Sequence, residues 1–268
     1  MSNWIFLSKD NQDPYINAFA KGCGSHPTDS NAFNYDASED PIVLRGILKK
    51  KIMHRCWEDN RDFYYIDTGY WGNEPTQSNP NGWKYWHRIV KNDLQHGNKI
   101  VKRPSDRFDA FKKKFAPWKK DGKKILIAAP DEKPMKFYEK NLDSWLEETV
   151  KEIKKFTDRP VEIRRRNKLR LDRLVTDTLE QALNNDVFAL VTFNSNAAVE
   201  SIFHGIPVFA LAPTSAAAPV ALNDLSKIET PYYPDRDKLQ AWGNHLAYGQ
   251  FHLSELKSGK AKRMLEEQ

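Results

Sequence analysis

The residues best suited to chemistry sit where apolar runs give way to short polar ones. Val187-Phe188-Ala189-Leu190-Val191 leads into Thr192-Phe193-Asn194-Ser195-Asn196, followed by Ala197-Ala198-Val199-Glu200 and then Gly205-Ile206-Pro207-Val208. The first run reads as a buried strand, and the small residues after the polar turn let a helix start close to it. Amide groups at such a helix start, with Asn194, Ser195 or Asn196 as cap and as hydroxyl or amide donors, make a place for a phosphate. Glu200, about one turn beyond Asn196, can offer its carboxylate to a ribose diol. The plainer alternative is a capped helix whose Glu only answers the helix dipole.

Other polar residues recur at the ends of apolar runs. Arg164-Arg165-Arg166-Asn167-Lys168 follows Val161-Glu162-Ile163, which puts Arg165 and Lys168 where guanidinium and ammonium groups can meet phosphate oxygens, or where a charge run is simply solvated. Asp131 and Lys133 follow the run Ile125 to Ala129 and can touch a sugar or phosphate, surface turn chemistry being the alternative. Asp67 closes the run Phe63 to Ile66 and can act as a general base toward a hydroxyl, or form a turn. His26 and His87 are competing bases, each better suited to a structural or ligand-contacting role.

These residues need strands and helices to hold them. Trp4 to Leu7, Ile42 to Leu44 and Phe63 to Ile66 read as strands, with a helix after Asp13-Pro14 and an amphipathic basic stretch from Ile47 to Trp57. Between Gly69 and Asp106, glycines and prolines break any long element while Trp71, Trp83, Tyr85 and Trp86 supply large rings. The basic stretch from Arg103 to Gly122 reads as a link between halves. Beyond it, runs of strand length alternate with helical spacing over Phe137 to Phe156, Leu171 to Leu183 and Ala197 to His204, the pattern of a parallel sheet covered on both faces. Ligands of such a sheet sit beyond the carboxyl ends of its strands. Lys238 to Glu267 reads as helical segments packing back on the core.

Composition narrows the setting. The 268 residues suit one large α/β domain or two small ones, and two are expected: 1–120 and 121–268. Cys23 and Cys56 are too few for a disulfide framework and lack the spacing of a zinc site. Met1 to Lys9 has no basic start followed by an apolar run, and no segment approaches the roughly 18 apolar residues of a membrane span, so a cytoplasmic protein without membrane insertion is expected. Forty-two Lys and Arg against 36 Asp and Glu give a net charge of +6 and a pI near 9.1, a balance that favours polyanionic or anionic partners where the charge is clustered.

With these residues in hand, the second half resembles the nucleotide-binding domain of GT-B type glycosyltransferases, particularly the capsular-polysaccharide and phage-encoded branches. The features are a strand ending in Arg, then Val-Thr-Phe-Asn-Ser-Asn-Ala-Ala-Val-Glu, then Gly-Ile-Pro-Val and Ala-Pro, sharpest from Phe193 to Pro213. The resemblance implies two Rossmann-like halves facing a central cleft, with the N-terminal one reduced: an acceptor-side domain with an aromatic-rich insertion, and a nucleotide-sugar-binding domain. It implies that Ser195 grips a donor diphosphate and Glu200 the ribose. Tyr65 to Trp71 and Tyr85 to Arg88 resemble segments of the phage proteins, making Tyr70, Trp86, His87 and Arg88 the expected acceptor-binding residues.

The function expected from all this is sugar transfer from a nucleoside-diphosphate sugar, preferably a uridine diphosphate sugar, to a hydroxyl, without a metal. Arg165, Lys168 and the turn at Ser195 would neutralise the departing diphosphate. Basic charge and clustered rings suit double-stranded DNA bearing a 5-hydroxymethylated pyrimidine as acceptor, with the rings stacking on or replacing an extruded base. A polysaccharide acceptor suits the same rings. The alternatives are a non-catalytic nucleic-acid-binding protein and a nucleotide-sugar hydrolase or epimerase.

Overall fold

The computed structural model describes residues 3–47, 50–73, 85–165 and 178–267. In chain order its elements begin with β1 (Ile5–Ser8), α1 (Pro14–Gly22), β2 (Pro27–Asp29), β3 (Ile42–Arg45), α2 (Lys50–Glu58), β4 (Phe63–Thr68) and β5 (Trp86–Lys91). There follow α3 (Asp106–Ala110), β6 (Lys124–Ala128), α4 (Glu132–Phe137), α5 (Leu142–Ile153), β7 (Val161–Arg164), α6 (Leu179–Leu183) and β8 (Val187–Thr192). The chain ends with α7 (Ala197–Phe203), β9 (Val208–Ala210), α8 (Arg236–Tyr248), β10 (Gln250–His252), α9 (Leu253–Lys257) and α10 (Lys260–Glu266). The parts of the expected elements at 48–49 and 171–177, together with Trp83, Arg166 and Lys168, lie outside the described residues.

The chain divides into two compact α/β units. One comprises Met1–Gln95 with Ala247–Gln268, the other His96–Leu246. This differs from a single break near residue 120: the basic stretch from Arg103 to Gly122 belongs wholly to the second unit, and the last 22 residues return to the first. The return has a backbone cause. β10 adds to the first sheet antiparallel to β5, and α9 packs on α1 so closely that a Cβ on Gly22 would stand 2.1 Å from the Leu256 carbonyl oxygen.

The first sheet has the order β10-β5-β4-β3-β1-β2, with β2, β1, β3 and β4 parallel and β5 and β10 antiparallel additions. Strand residues alternate between its faces. Phe6, Val43, Tyr64, Ile66 and Ile89 join Ile16 and Phe19 of α1 and Leu256 and Leu265 in one core. Leu7, Leu44, Phe63 and Tyr65 lie on the opposite face, where Trp57 of α2 meets Phe63 edge to face with centroids 5.7 Å apart. Asp13 caps α1, accepting hydrogen bonds from the amides of Tyr15 and Ile16 at 3.0 and 3.1 Å, while Pro14 supplies a preset φ at the first helical position.

The second sheet, β7-β6-β8-β9, is parallel throughout. All six residues of β8 are buried, as an interior parallel strand requires. On one face Ile125, Ile127, Ala189, Val191 and Phe209 pack with Met135 and with Trp145, Leu146 and Ile153 of α5. α7 packs on β8 and β9. Phe203 at its end enters a ring stack with Phe115 (4.8 Å), Phe108 (6.1 Å) and Trp242 (6.0 Å).

Gly205 ends α7 at φ 70°, and a Cβ there would lie 2.0 Å from the Pro117 carbonyl oxygen. Both the left-handed backbone and the close approach demand glycine. Gly205→Ala is therefore expected to destabilise the protein by at least about 2 kcal/mol, read as a lower midpoint in urea or heat. An unchanged midpoint would show that the 115–119 segment is not held against this turn.

Candidate functional site

In the second unit the polar residues gather at the carboxyl edge of the sheet. β8 is fixed there by the buried Thr192 hydroxyl, which donates to the Ala128 carbonyl at 2.7 Å and ties the end of β8 to the end of β6. The chain then turns through Phe193, whose ring packs edge to face on Tyr138 at 5.1 Å and on Trp145 at 6.1 Å. Asn194 is buried, and Ser195 and Asn196 are half-buried.

The start of α7 departs from the free-amide expectation. The Ala197 amide donates to Ser195 Oγ at 3.2 Å and the Ala198 amide to the Ser195 carbonyl at 3.0 Å, so both already have partners. α7 is also only seven residues long, which limits its dipole. The chemistry of the turn therefore rests on its side chains. A serine hydroxyl that accepts one bond keeps its own proton to donate, so Ser195 can still bind an anionic oxygen. Glu200 is exposed one turn into α7, with its amide bonded to the Asn196 carbonyl.

Because β6 adjoins β8, the loop after β6 reaches the same edge. Asp131 stands at the N-cap of α4 and Lys133 is exposed in its first turn. Tyr138, just after α4, shares a 2.7 Å hydrogen bond with Thr214 in the loop beyond β9, so groups following three neighbouring strands meet at one edge. Arg165 follows β7, the outer strand on the far side of β6, and donates to Asp143 of α5 at 2.8 Å. Both partners are mostly exposed, so this bond is worth about 1 kcal/mol or less and is easily exchanged. Lys168 lies outside the described residues. An open groove of about 820 Å³ runs beside Arg165, floored by Leu146, Val150 and Ile163 between α5 and β7, on the flank rather than at the turn.

In the first unit, charged residues line the carboxyl edge of β1, β3 and β4 in two groups on opposite faces. On one face Asp67 accepts from Tyr65 Oη at 2.9 Å, Arg88 Nη2 at 2.8 Å and the Thr68 amide at 2.8 Å. Arg88 is buried and also donates to the carbonyls of Thr68 (2.7 Å) and Leu94 (3.2 Å), with Tyr70 5.5 Å from its guanidinium carbon. The Asp67 side chain remains 36% exposed, which leaves it reachable.

His87 is adjacent to Arg88 and so points to the other face. It is buried against the Tyr15 ring at 3.9 Å, near the Arg45 to Asp13 ion pair of 3.1 Å, with Arg45 itself 4.5 Å over Tyr15. Burial, reinforced by the Arg45 charge, drives the His87 pKa down to about 4. Its Nδ1 is buried with no hydrogen-bond partner among the described residues. The structure thus separates His87 from the Asp67, Tyr70 and Arg88 group, against the expectation of one acceptor set. Trp86 is half-buried at the start of β5, exchanging backbone bonds with the Asn73 amide side chain (2.9 and 2.7 Å) and meeting His252 edge to face. His26 is exposed ahead of β2.

Sequence reading missed three members of these groups. Arg45 closes the run Ile42 to Leu44 just as Asp67 closes its own, a signal that was present. Asp13 reads as a turn, whereas half of its carboxylate caps α1 and the other half binds Arg45. Gln250, buried and accepting from the Tyr70 amide at 2.8 Å, comes from 180 residues away and carries no local signal.

Among the described residues, no group of three or more His, Cys, Asp or Glu is arranged to hold a metal ion, and no helix is long and apolar enough to cross a membrane. No family model matches the sequence, and no curated protein matches it. Solved structures do. The fold is a two-sheet, Rossmann-like α/β fold of a kind found in a sugar transferase. In particular, the chain is similar to a Thermosulfurimonas dismutans KpsC, a beta Kdo 2,4 transferase, with a TM-score of 0.51 and 9% identity over 91% of this chain and 90% of that one. The KpsC beta Kdo 2,7 transferase of the same organism gives 0.37 and 12% over 84% and 85%.

The His87 environment sets an acid limit. Unfolded histidine takes up its proton near pH 6.5, whereas native His87 resists until about pH 4. Between those values the unfolded state binds more protons, so the stability is full above about pH 6.5 and is lost as the pH falls toward 4, about 2 kcal/mol of it by pH 5. His245 in the second unit, buried near Arg103 and also held down to about 4, adds a similar loss. In urea titrations at pH 7 and pH 5, His87→Gln is expected to remove roughly half of this histidine-driven loss. A slope identical to wild type would mean His87 is not buried neutral.

Proposed function

We propose that the protein is a glycosyltransferase of GT-B type that moves a sugar from a nucleoside-diphosphate sugar, with uridine diphosphate as the preferred leaving group, to a hydroxyl acceptor. The observation that carries the proposal is the convergence at one sheet edge of Asn194, Ser195 and Asn196 after β8 with Asp131 and Lys133 after β6. A phosphate-bearing ligand of a parallel sheet belongs at this edge. The fold likeness to a Kdo transferase supports the class.

In this reading Ser195 donates its hydroxyl to the diphosphate, Asn194 and Asn196 complete the turn, and Glu200 takes the ribose diol. Asp131 and Lys133 contact the donor sugar or phosphate. Arg165 leaves Asp143 for the departing diphosphate and acts with Lys168, so that cations and hydrogen-bond donors stabilise the developing charge in the place of a divalent ion. Asp67 serves as general base, its carboxylate oriented by Tyr65 and Arg88, while Tyr70 and Trp86 with Arg88 shape the acceptor side and His87 supports it from the opposite face. The acceptor is a 5-hydroxymethylated pyrimidine in double-stranded DNA or a polysaccharide hydroxyl.

A thermal-shift panel of uridine, guanosine, adenosine and cytidine mono- and diphosphates tests the donor site. One nucleotide at 100 times its dissociation constant should add about 2.7 kcal/mol of stability, and Glu200→Ala should remove most of that gain. A flat panel would overturn the reading. Asp67→Asn separates the roles of Asp67. It leaves buried Arg88 facing a neutral group and is expected to cost about 2 kcal/mol of stability. The nucleotide-induced shift should persist while transfer slows at least about 100-fold at a temperature where the variant is folded. Normal transfer by the folded variant would remove Asp67 from catalysis, and loss of transfer on adding EDTA would contradict the metal-independent mechanism.

A further inference from the structure

The positive charge of this chain is not spread over it. Residues 99–123 carry ten Lys or Arg against three Asp, a net +7, whereas the whole chain is +6, so everything else sums to −1. All of these residues belong to the second unit. The segment holds one short helix, α3, and otherwise runs as a strap of irregular backbone.

The strap is anchored by its rings. Phe108 and Phe115 are buried in the stack with Phe203 and Trp242, and Trp118 Nε1 donates to the Pro234 carbonyl at 2.9 Å. Its backbone is tied as well: the Ala116 amide donates to Phe203 O at 3.0 Å, Lys119 to Gly205 O at 2.7 Å and Lys123 to Asp186 O at 2.8 Å, while Arg236 Nη1 reaches Phe115 O at 2.9 Å. With the rings turned inward, Lys99, Lys102, Lys112, Lys114, Lys120 and Lys123 are exposed.

These anchors place residues 116–124 across the amino edge of the second sheet, where β6 and β8 begin and α7 ends. The donor turn is at the opposite edge, and the six residues of β8 between them span about 20 Å. The part of the strap from Ala116 to Lys123, with Lys119 and Lys120, therefore lies away from the donor turn.

We propose that this strap is a docking surface for the phosphodiester backbone of duplex nucleic acid, bound without regard to sequence. Duplex DNA presents one negative charge per about 1.7 Å of axis, which suits lysines arranged in adjacent pairs and triplets along an ordered path. The exposed cations are lysines, point charges that follow phosphates and do not read base edges. A bilayer fits less well, because among the described residues the exposed large hydrophobic side chains are Trp57, Tyr85, Phe156, Ile163 and Tyr232, none of them on the strap to enter a membrane. The inference does not depend on the sugar-transfer reading.

The test is fluorescence anisotropy of the full chain with a labelled duplex of about 20 base pairs over a series of salt concentrations. Wild type should bind with an affinity that falls steeply with salt. The triple variant Lys102→Ser, Lys114→Ser, Lys120→Ser should bind at least about 10-fold more weakly, with a log–log salt slope shallower by about 2.7. Lys9→Ser, Lys51→Ser, Lys257→Ser removes the same charge from exposed positions of the first unit and should stay within about 2-fold of wild type. Absence of duplex binding at low salt overturns the proposal, as does equal weakening by both triples, or co-sedimentation with phosphatidylserine vesicles in place of duplex binding. Because the nucleotide thermal shift is read separately, failure of the donor site leaves this result interpretable.

Discussion

The pairing of β8 between β6 and β9 is the constraint on which the rest of the second unit depends. Parallel neighbours must leave the sheet by the same edge, so fixing the register of Ile127 against Val191 and of Val191 against Phe209 also fixes where three loops emerge. The buried hydroxyl bond from Thr192 to Ala128 locks that edge at its centre. Full burial of β8 supplies the rigidity; the loops supply the polar groups. The arrangement makes the turn at Ser195 precise without a long helix behind it, since α7 is held instead by its packing on β8 and β9.

The first unit obeys the same edge rule with different chemistry. There charged residues pair along the edge, Asp13 with Arg45 and Asp67 with Arg88, each pair on its own face of the sheet. A half-exposed carboxylate beside a buried, fully engaged guanidinium is oriented without being sealed off, which suits Asp67 to meet a ligand. His87, buried and neutral on the other face, contributes shape and an acid-sensitive weakness.

Much of this was legible in the sequence because buried parallel strands announce themselves as continuous apolar runs. Ile125 to Ala128 and Val187 to Val191 were readable as strands, and with them the polar turn after β8. What was hidden is contact across long sequence separation. Nothing near Gln250 signals that β10 completes the first sheet or that its side chain holds the Tyr70 amide, and nothing near Gly22 signals that α9 passes against it. The return of the last residues to the first unit was hidden for the same reason. Arg103 to Gly122 looks like a linker from its lysines, whereas Phe108 and Phe115 make it part of a core. Period-two alternation along Trp86–Lys91 separates His87 from Arg88, but the rings and turn residues around that strand conceal it in the sequence.

The central claim is that a nucleotide sugar is held by the turn after β8. Hydrogen–deuterium exchange of the full chain with and without a saturating uridine diphosphate sugar addresses it directly. Slower exchange is expected over residues 193–200 and 129–135. Protection that appears elsewhere and spares both segments would contradict it.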